Sequence, residues 1–267
     1  MFPESLTMAN KIKLNVGNFD LLVDALKAYS KVADCAKLEF SPEGMEISGR
    51  NQVARCELTT NAVSSKTNET ICVPELSTCL KLMESARTLS KEDLSDIELY
   101  LDYPFIRISS KRLKTKITAC KEEIIASNVI PKMKAVLTPA MEFTTSTNLI
   151  KALNYHSFIF AKKEDAKIYL SEEPDMKNNT LFATIGNKMN DLSNAVTLEF
   201  GMINYGTLGD RKLVMDYDRL NMLNLIPSES IKVQLMEKPI ATTKFRLENG
   251  DCKAELLVLS SFKVDVA

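Results

Sequence analysis

The feature that most constrains this chain is an order of hydrophobic patterns that occurs twice. In the first pass, "KIKLNV" (Lys11 to Val16) alternates, with Ile12, Leu14 and Val16 on one face, and predicts a strand. Asn18 reads as the N-cap of a helix in which Leu22, Leu26 and Tyr29 recur at helical spacing, with Asp20, Asp24, Lys27 and Lys31 on the opposite stripe. Leu38 and Phe40, then Met45 and Ile47, alternate on either side of Pro42-Glu43-Gly44. There proline presets one dihedral and glycine permits a positive one, so the pair reads as a hairpin. "VARCELTT" is a third strand, and "TICV" with Pro74 leads into a second helix (stripe Leu76, Leu80, Met83) ending near Thr88. "DIELYLD", "FIRISS" and "LKTKITA" follow as strands.

Cys120 to Ala140 then breaks the pattern. It has no clean period, carries Pro131 and Pro139, and reads as a connector. From Met141 the order restarts. "MEFTTS" is a strand, and "TNLIKALNYHS" a helix with Leu149, Ile150 and Leu153 on one face. "AKIYLS", "TLFATIG" and "AVTLEFGMI" are strands, and "RKLVMD" leads into the next helix. "YDRLNMLNLI" is a helix stopped by Pro227, and three closing strands include a hairpin at Asn249-Gly250. A helix has one apolar stripe and a sheet one apolar face, so two helices on one side of an antiparallel sheet bury both. The expectation is an α+β chain of two tandem modules, 1–119 and 141–267, joined by 120–140, each about 130 residues or somewhat less.

Composition narrows the chemistry. Of 267 residues, 45% are hydrophobic and 26% charged, which supports a packed core. Lys+Arg 34 against Asp+Glu 35 argues neither for nor against nucleic acid, since a neutral total still allows a basic face. The six cysteines form no Cys-x-x-Cys pair and there is one histidine, His156, so no zinc-type cluster can be assembled by spacing and reduced, buried thiols are expected. The sequons at Asn68 and Asn178 are read as chance matches. No apolar run approaches the ~20 residues that cross a bilayer, and no signal peptide is evident, so a cytoplasmic (or nuclear) protein without membrane contact is expected. No phosphate-binding loop and no nucleophile elbow occur among only eight glycines; Glu122-Glu123 and Glu172-Glu173 sit in polar loops. The reading is a non-enzyme without metal or cofactor. The helices do carry cations on their polar faces: Lys27, Lys31, Lys81, Arg87, Lys151 and Arg219. Arranged on one surface, these would bind phosphates without reading bases.

With "FDLLVDALKAYSKVADCAKLEFSPEGMEISGRNQVARCELTT", "ICVPELSTCLKLMESA", "KLVMDYDRLNMLNLIPSESIKVQLMEKPIATTKFRL" and "AELLVLSSF", the order of elements resembles DNA sliding clamps of the proliferating cell nuclear antigen type, over nearly the whole chain after the first ten residues. The resemblance is strong in architecture and loose in residues. It implies a head-to-tail homotrimeric ring whose helices line a hole threaded by duplex DNA, bound without sequence specificity. The ring would tether a DNA polymerase, be placed by a clamp loader, and be of viral or phage type. On that resemblance the six helix cations face DNA. Subunits join through Arg112 to Ala119 (Arg112, Lys114, Thr115, Ile117) and an edge strand Lys177 to Ile185 (Thr180, Leu181, Phe182, Thr184). Clamp-binding peptides insert among Val53, Ile124, Ile125, Pro227, Phe262 and Val264, with Val129 and Ile130 alongside. Two other readings compete: a monomeric or dimeric viral processivity factor that binds DNA by a basic face, and an enzyme with an unrecognised site.

Overall fold

In the computed structural model, residues 10–128, 138–160, 167–172, 179–186, 195–208, 212–238 and 240–265 are described. The first strand, β1 (Asn10–Leu14), is shorter than its alternation predicts, because helix α1 (Val16–Tyr29) starts at once. Its cap is Asn15 rather than Asn18: the Asn15 Oδ1 accepts the Asn18 N–H at 2.8 Å, satisfying one of the first-turn donors that no helix can satisfy internally. The hairpin forms as expected, with β2 (Ala36–Ser41) and β3 (Gly44–Arg50) joined where Gly44 takes φ +149°. Then come β4 (Ala54–Thr60), β5 (Glu69–Val73) and α2 (Leu76–Asp93). This helix runs a full turn beyond Thr88 and stops where Leu94 enters the left-handed region (φ 48°). Strands β6 (Ile97–Asp102), β7 (Phe105–Ser109) and β8 (Lys114–Thr118) and the single turn α3 (Glu122–Ile125) follow.

After the connector come β9 (Pro139–Thr145), α4 (Thr147–Phe160), β10 (Ile168–Glu172), β11 (Thr180–Gly186), β12 (Ala195–Gly206) and β13 (Lys212–Met215). The chain continues with α5 (Tyr217–Met222), β14 (Ile231–Met236), β15 (Ile240–Asn249), β16 (Cys252–Ser261) and β17 (Lys263–Asp265). Helix α5 is shorter than "YDRLNMLNLI" predicts, since only six residues are α-helical. The chain divides into two compact units. One holds Met1–Asn51, Arg55–Met133 and Arg246–Leu256; the other holds Gln52–Ala54, Lys134–Phe245 and Leu257–Ala267.

In the first unit, β1-β6-β7-β8 form one antiparallel sheet, and β5-β2-β3-β4 form a second, with the start of β16 beside β4. Alternation on each strand turns one side inward: β6 buries Ile97, Leu99 and Leu101 and leaves Glu98, Tyr100 and Asp102 half-exposed. The core lies where these inward faces meet the paired helices. Leu26 of α1 and Met83 of α2 line the same spot as Phe40, Leu99 and Ile108 around an apolar cavity of about 30 Å³. Fully burying a side chain of this size contributes roughly 1.5–3 kcal/mol, so such contacts set the helices' position. In the second unit the order is β17-β13-β10-β11-β12-β9-β14-β15. Its core centres on Phe143 and Phe200, both fully buried with ring centroids 6.1 Å apart, together with Ile150 and Leu153 of α4.

Duplication is visible in the pairing itself. The order β5-β2-β3-β4 is repeated as β13-β10-β11-β12, and β1-β6-β7-β8 as β9-β14-β15-β16.

Candidate functional site

The helix cations of the first unit stand in a ladder of charge. Three ion pairs join α1 to α2: Asp20 to Lys91 at 2.7 Å, Asp24 to Arg87 at 2.7 Å and Lys27 to Glu84 at 2.9 Å. Partner numbers fall on α2 as they rise on α1, so the two helices run antiparallel and each rung falls one turn along. The Lys27 ammonium, hydrogen-bonded to Glu84, holds that carboxyl below the usual range. Lys27 and Arg87, expected to face phosphates, are thus already occupied by carboxylates. Exposed pairs of this kind are weak, so a phosphate competes for them. Lys81 and Lys151 are exposed on α2 and α4, and Lys31 is exposed just past the end of α1.

Arg219 is placed differently from its expected partners. Its guanidinium donates to the Val53 carbonyl at 2.6 Å and to the Ser261 hydroxyl at 3.1 Å, all within the second unit. The structure therefore brings together a residue read as DNA-facing and one read as peptide-binding, and makes Arg219 a clasp for the Gln52–Ala54 loop. Its charge is directed at local acceptors.

Of the expected peptide-binding residues, Ile124 is 68% exposed and Pro227 is exposed, whereas Ile125 and Phe262 are 3% and 4% exposed. Ile125 is turned into a buried group with Cys35 and Cys72, against Cys120, because α3 presents adjacent side chains to opposite sides. Of the two isoleucines read as lining a peptide pocket, Ile124 is therefore the one exposed to solvent, and Ile125 is enclosed. The root of the connector is held by further bonds: Cys120 N–H to the Cys72 carbonyl at 2.9 Å, Lys37 to Glu122 at 2.9 Å, and the Arg50 guanidinium to the Ser127 carbonyl at 2.8 and 3.2 Å. Val129, Ile130 and the side chain of Val264 lie outside the described residues.

The two expected edges fare unequally. Among the described residues β8 pairs only with β7, so one flank of Lys114–Thr118 is open. Ile117 is buried, and Arg112, at the turn before it, pairs with Asp93 at 2.8 Å. Strand β11 is no edge: β10 and β12 hydrogen-bond to its two sides, Leu181 and Thr184 are buried, and Lys177 lies outside the described residues. The open segment is one strand later. Over Ala195–Glu199, β12 has β11 on one side only among the described residues, since contact with β9 begins where the Thr145 hydroxyl donates to the Phe200 carbonyl at 2.6 Å and ladder pairing with β9 begins at Met202. Counting strands within the repeat would have found it, because β12 is the counterpart of β4.

Chemistry of the thiols is subdued. Burial pushes Cys72 up to about 11 and raises Cys35 and Cys120, so these groups stay protonated near neutrality and are poor nucleophiles and ligands. No group of three metal-binding side chains occurs among the described residues, and no helix among them is long and apolar enough to cross a membrane. His156 is half-buried with its ring edge-on to Tyr155 at 5.5 Å, and Glu172 accepts from the Thr207 hydroxyl at 2.8 Å and from the Leu208 N–H.

No family model and no curated protein matches the sequence. Solved structures do match. Proliferating cell nuclear antigen (PCNA) from Entamoeba histolytica is 13% identical and superposes with a TM-score of 0.65 over 96% of this chain and 100% of that one. PCNA from Thermococcus kodakaraensis is 14% identical, with a TM-score of 0.65 over 95% and 99%. A. fulgidus PCNA, solved bound to the C-terminal region of FEN-1, is 14% identical, with a TM-score of 0.62 over 97% and 100%. At these identities the likeness is one of fold: the chain has the α+β fold of PCNA-type sliding clamps along nearly its whole length.

Proposed function

We propose that a chain with the fold of the PCNA-type sliding clamps acts as one: a non-enzymatic processivity factor, two modules per chain (1–119 and 141–267 around the connector), closing head to tail as a homotrimer around duplex DNA. The observation that carries this reading is the pair of open strand edges. β8 and the Ala195–Glu199 part of β12 each lack a neighbour on one flank among the described residues. Their counterparts in the repeat, β16 and β4, are neighbours in one sheet. A long open edge is an aggregation hazard unless it is paired, and two complementary edges on one chain pair heterologously, the kind of contact from which a ring forms when the rotation closes. The proposed interface is β8 with β12, in place of β11. Peptides of a polymerase and of a loader would dock at exposed Ile124 at the connector root, with duplex DNA at the helix faces.

Light scattering tests the assembly: the expected mass is three times 29.9 kDa. On closed circular DNA the protein should stay bound at about 1 M salt, where the screening length falls to about 3 Å, and leave when the circle is cut. A monomer released by salt from circular and linear DNA alike would support the charge-based, non-ring factor instead.

The helix ladder gives a second expectation. Asp24→Asn with Glu84→Gln frees Arg87 and Lys27 for phosphate. Duplex binding should tighten at low salt, and the slope of log K against log salt should steepen by up to about 2, as for two added phosphate contacts. Anisotropy titrations at several salt concentrations check this; an unchanged slope would remove these cations from the DNA surface.

A further inference from the structure

The β1-β6-β7-β8 sheet offers the backbone edge of β8 to the proposed subunit contact, and the side chains of its outward face have a pattern of their own. Register places Lys11, Tyr100, Arg107 and Lys116 in one row across the four strands, and Lys13, Glu98, Ser109 and Lys114 in the next. At about 4.8 Å between strands, each row spans roughly 14 Å. The two carboxylates on this face are taken: Glu98 by Lys11 at 2.7 Å and by the Tyr100 hydroxyl at 2.6 Å, and Asp102 by Arg107. Lys13, Lys114 and Lys116 are exposed and have no ion pair within 4.0 Å among the described residues. Two half-exposed aromatic rings lie among the cations. Lys11 stands over Tyr100 at 5.7 Å, and Lys116 over Phe105 at 4.5 Å.

Lysines on the outer strands of a sheet also discourage stray pairing, and that accounts for lysine on β1 and β8. It does not account for the aromatic rings or for Arg107 on an inner strand. Nor does the fold require this charge. On the matching strands β9 and β14, Glu142 accepts from Gln234 and pairs with Lys232, and on β15 and β16 Arg246 is paired with Glu255. The first unit's face is thus an excess of positive charge with π-faces set into it. An acidic peptide would use the charge and leave the rings idle. Duplex DNA hides its bases in the stack. A single strand uses both, with phosphates on the lysines and unstacked bases against the rings.

We infer that this sheet face binds single-stranded nucleic acid, separately from any duplex held at the helices. The inference does not depend on the ring: a short linear oligonucleotide cannot be retained by topology, so binding of it reports the face alone.

The test is fluorescence anisotropy with a labelled single-stranded thymidine oligonucleotide, on the full chain. Three phosphates neutralised on a single strand give a slope of log K against log salt of about −2. The variant Lys13→Glu/Lys114→Glu/Lys116→Glu, with wild-type thermal midpoint and mass, should bind at least about tenfold more weakly and with a flatter slope. Tyr100→Ala should weaken binding severalfold with the slope unchanged, since stacking carries no counterions; because Tyr100 also bonds Glu98, Tyr100→Phe is its companion and should bind as wild type. No wild-type binding, equal binding by the charge-reversed variant, tighter binding of a polyglutamate peptide or of a duplex of the same length, or loss of oligonucleotide binding on Lys81→Ala/Lys151→Ala instead would each overturn the assignment.

Discussion

Lys116→Pro should convert a particle of three times 29.9 kDa into one of 29.9 kDa without unfolding it. An antiparallel ladder alternates the direction of its backbone groups. The Ala119 N–H donates to the Pro104 carbonyl and the Ser110 N–H to the Leu113 carbonyl, each at 2.8 Å. Hydrogen-bonded pairs recur every second residue, so Ile117 and Thr115 direct their backbone groups at β7, while Lys114, Lys116 and Thr118 direct theirs at the open flank. Proline at 116 therefore removes a donor that only an added strand would use, and its fixed φ lies at the margin of the extended region. Lys116→Ala keeps the N–H and should stay trimeric. The contrast between the two variants in light scattering isolates the backbone from the side chain. A trimer that survives Lys116→Pro would place the subunit contact elsewhere.

Ile125→Ser should destabilise the chain, and its neighbour Ile124→Ser should not. Ile125 is 3% exposed against Cys35 and Cys72. Losing a buried isoleucine costs about 2–5 kcal/mol, and in a unit of this size that lowers the thermal midpoint by roughly 10 °C. Ile124 is 68% exposed. Ile124→Ser should leave melting unchanged and abolish capture of a clamp-binding peptide, measured by anisotropy. Equal melting of both variants would mean that α3 is not anchored as described. Unaltered peptide capture by Ile124→Ser would move the docking site off the connector root.

The division between legible and illegible follows the range of the interactions. The Pro42-Glu43-Gly44 hairpin and the stripe Leu22, Leu26, Tyr29 are set by residues a few positions apart, and both stand in the structure where the sequence puts them. Helix ends blur because two asparagines three residues apart both suit a cap, and because nothing before Leu94 announces the stop of α2. A helix ended near Thr88 leaves out Lys91 and its rung with Asp20. Long-range pairing is out of reach of local patterns. Nothing in "TLFATIG" says that both its flanks are filled, nor in "AVTLEFGMI" that one is open. Arg219 looks from sequence like any surface cation on a helix, and only the fold supplies the Val53 carbonyl that claims it. Short β17 has no periodic signal to read.

Residues Arg246–Leu256 follow most of the second unit in the chain, yet they belong to the first. Lys253 exchanges bonds with Asn61 at 3.1 and 2.6 Å, across 192 residues of sequence. Emerging from a ribosome, the first unit must wait until the second has been made before strand β4 gains β16 as its neighbour. Until then it carries a bare, sticky margin. Synthesis speed and the supply of chaperones should therefore govern how much of this protein matures, and the two halves made as separate polypeptides would each lack something that only the other supplies.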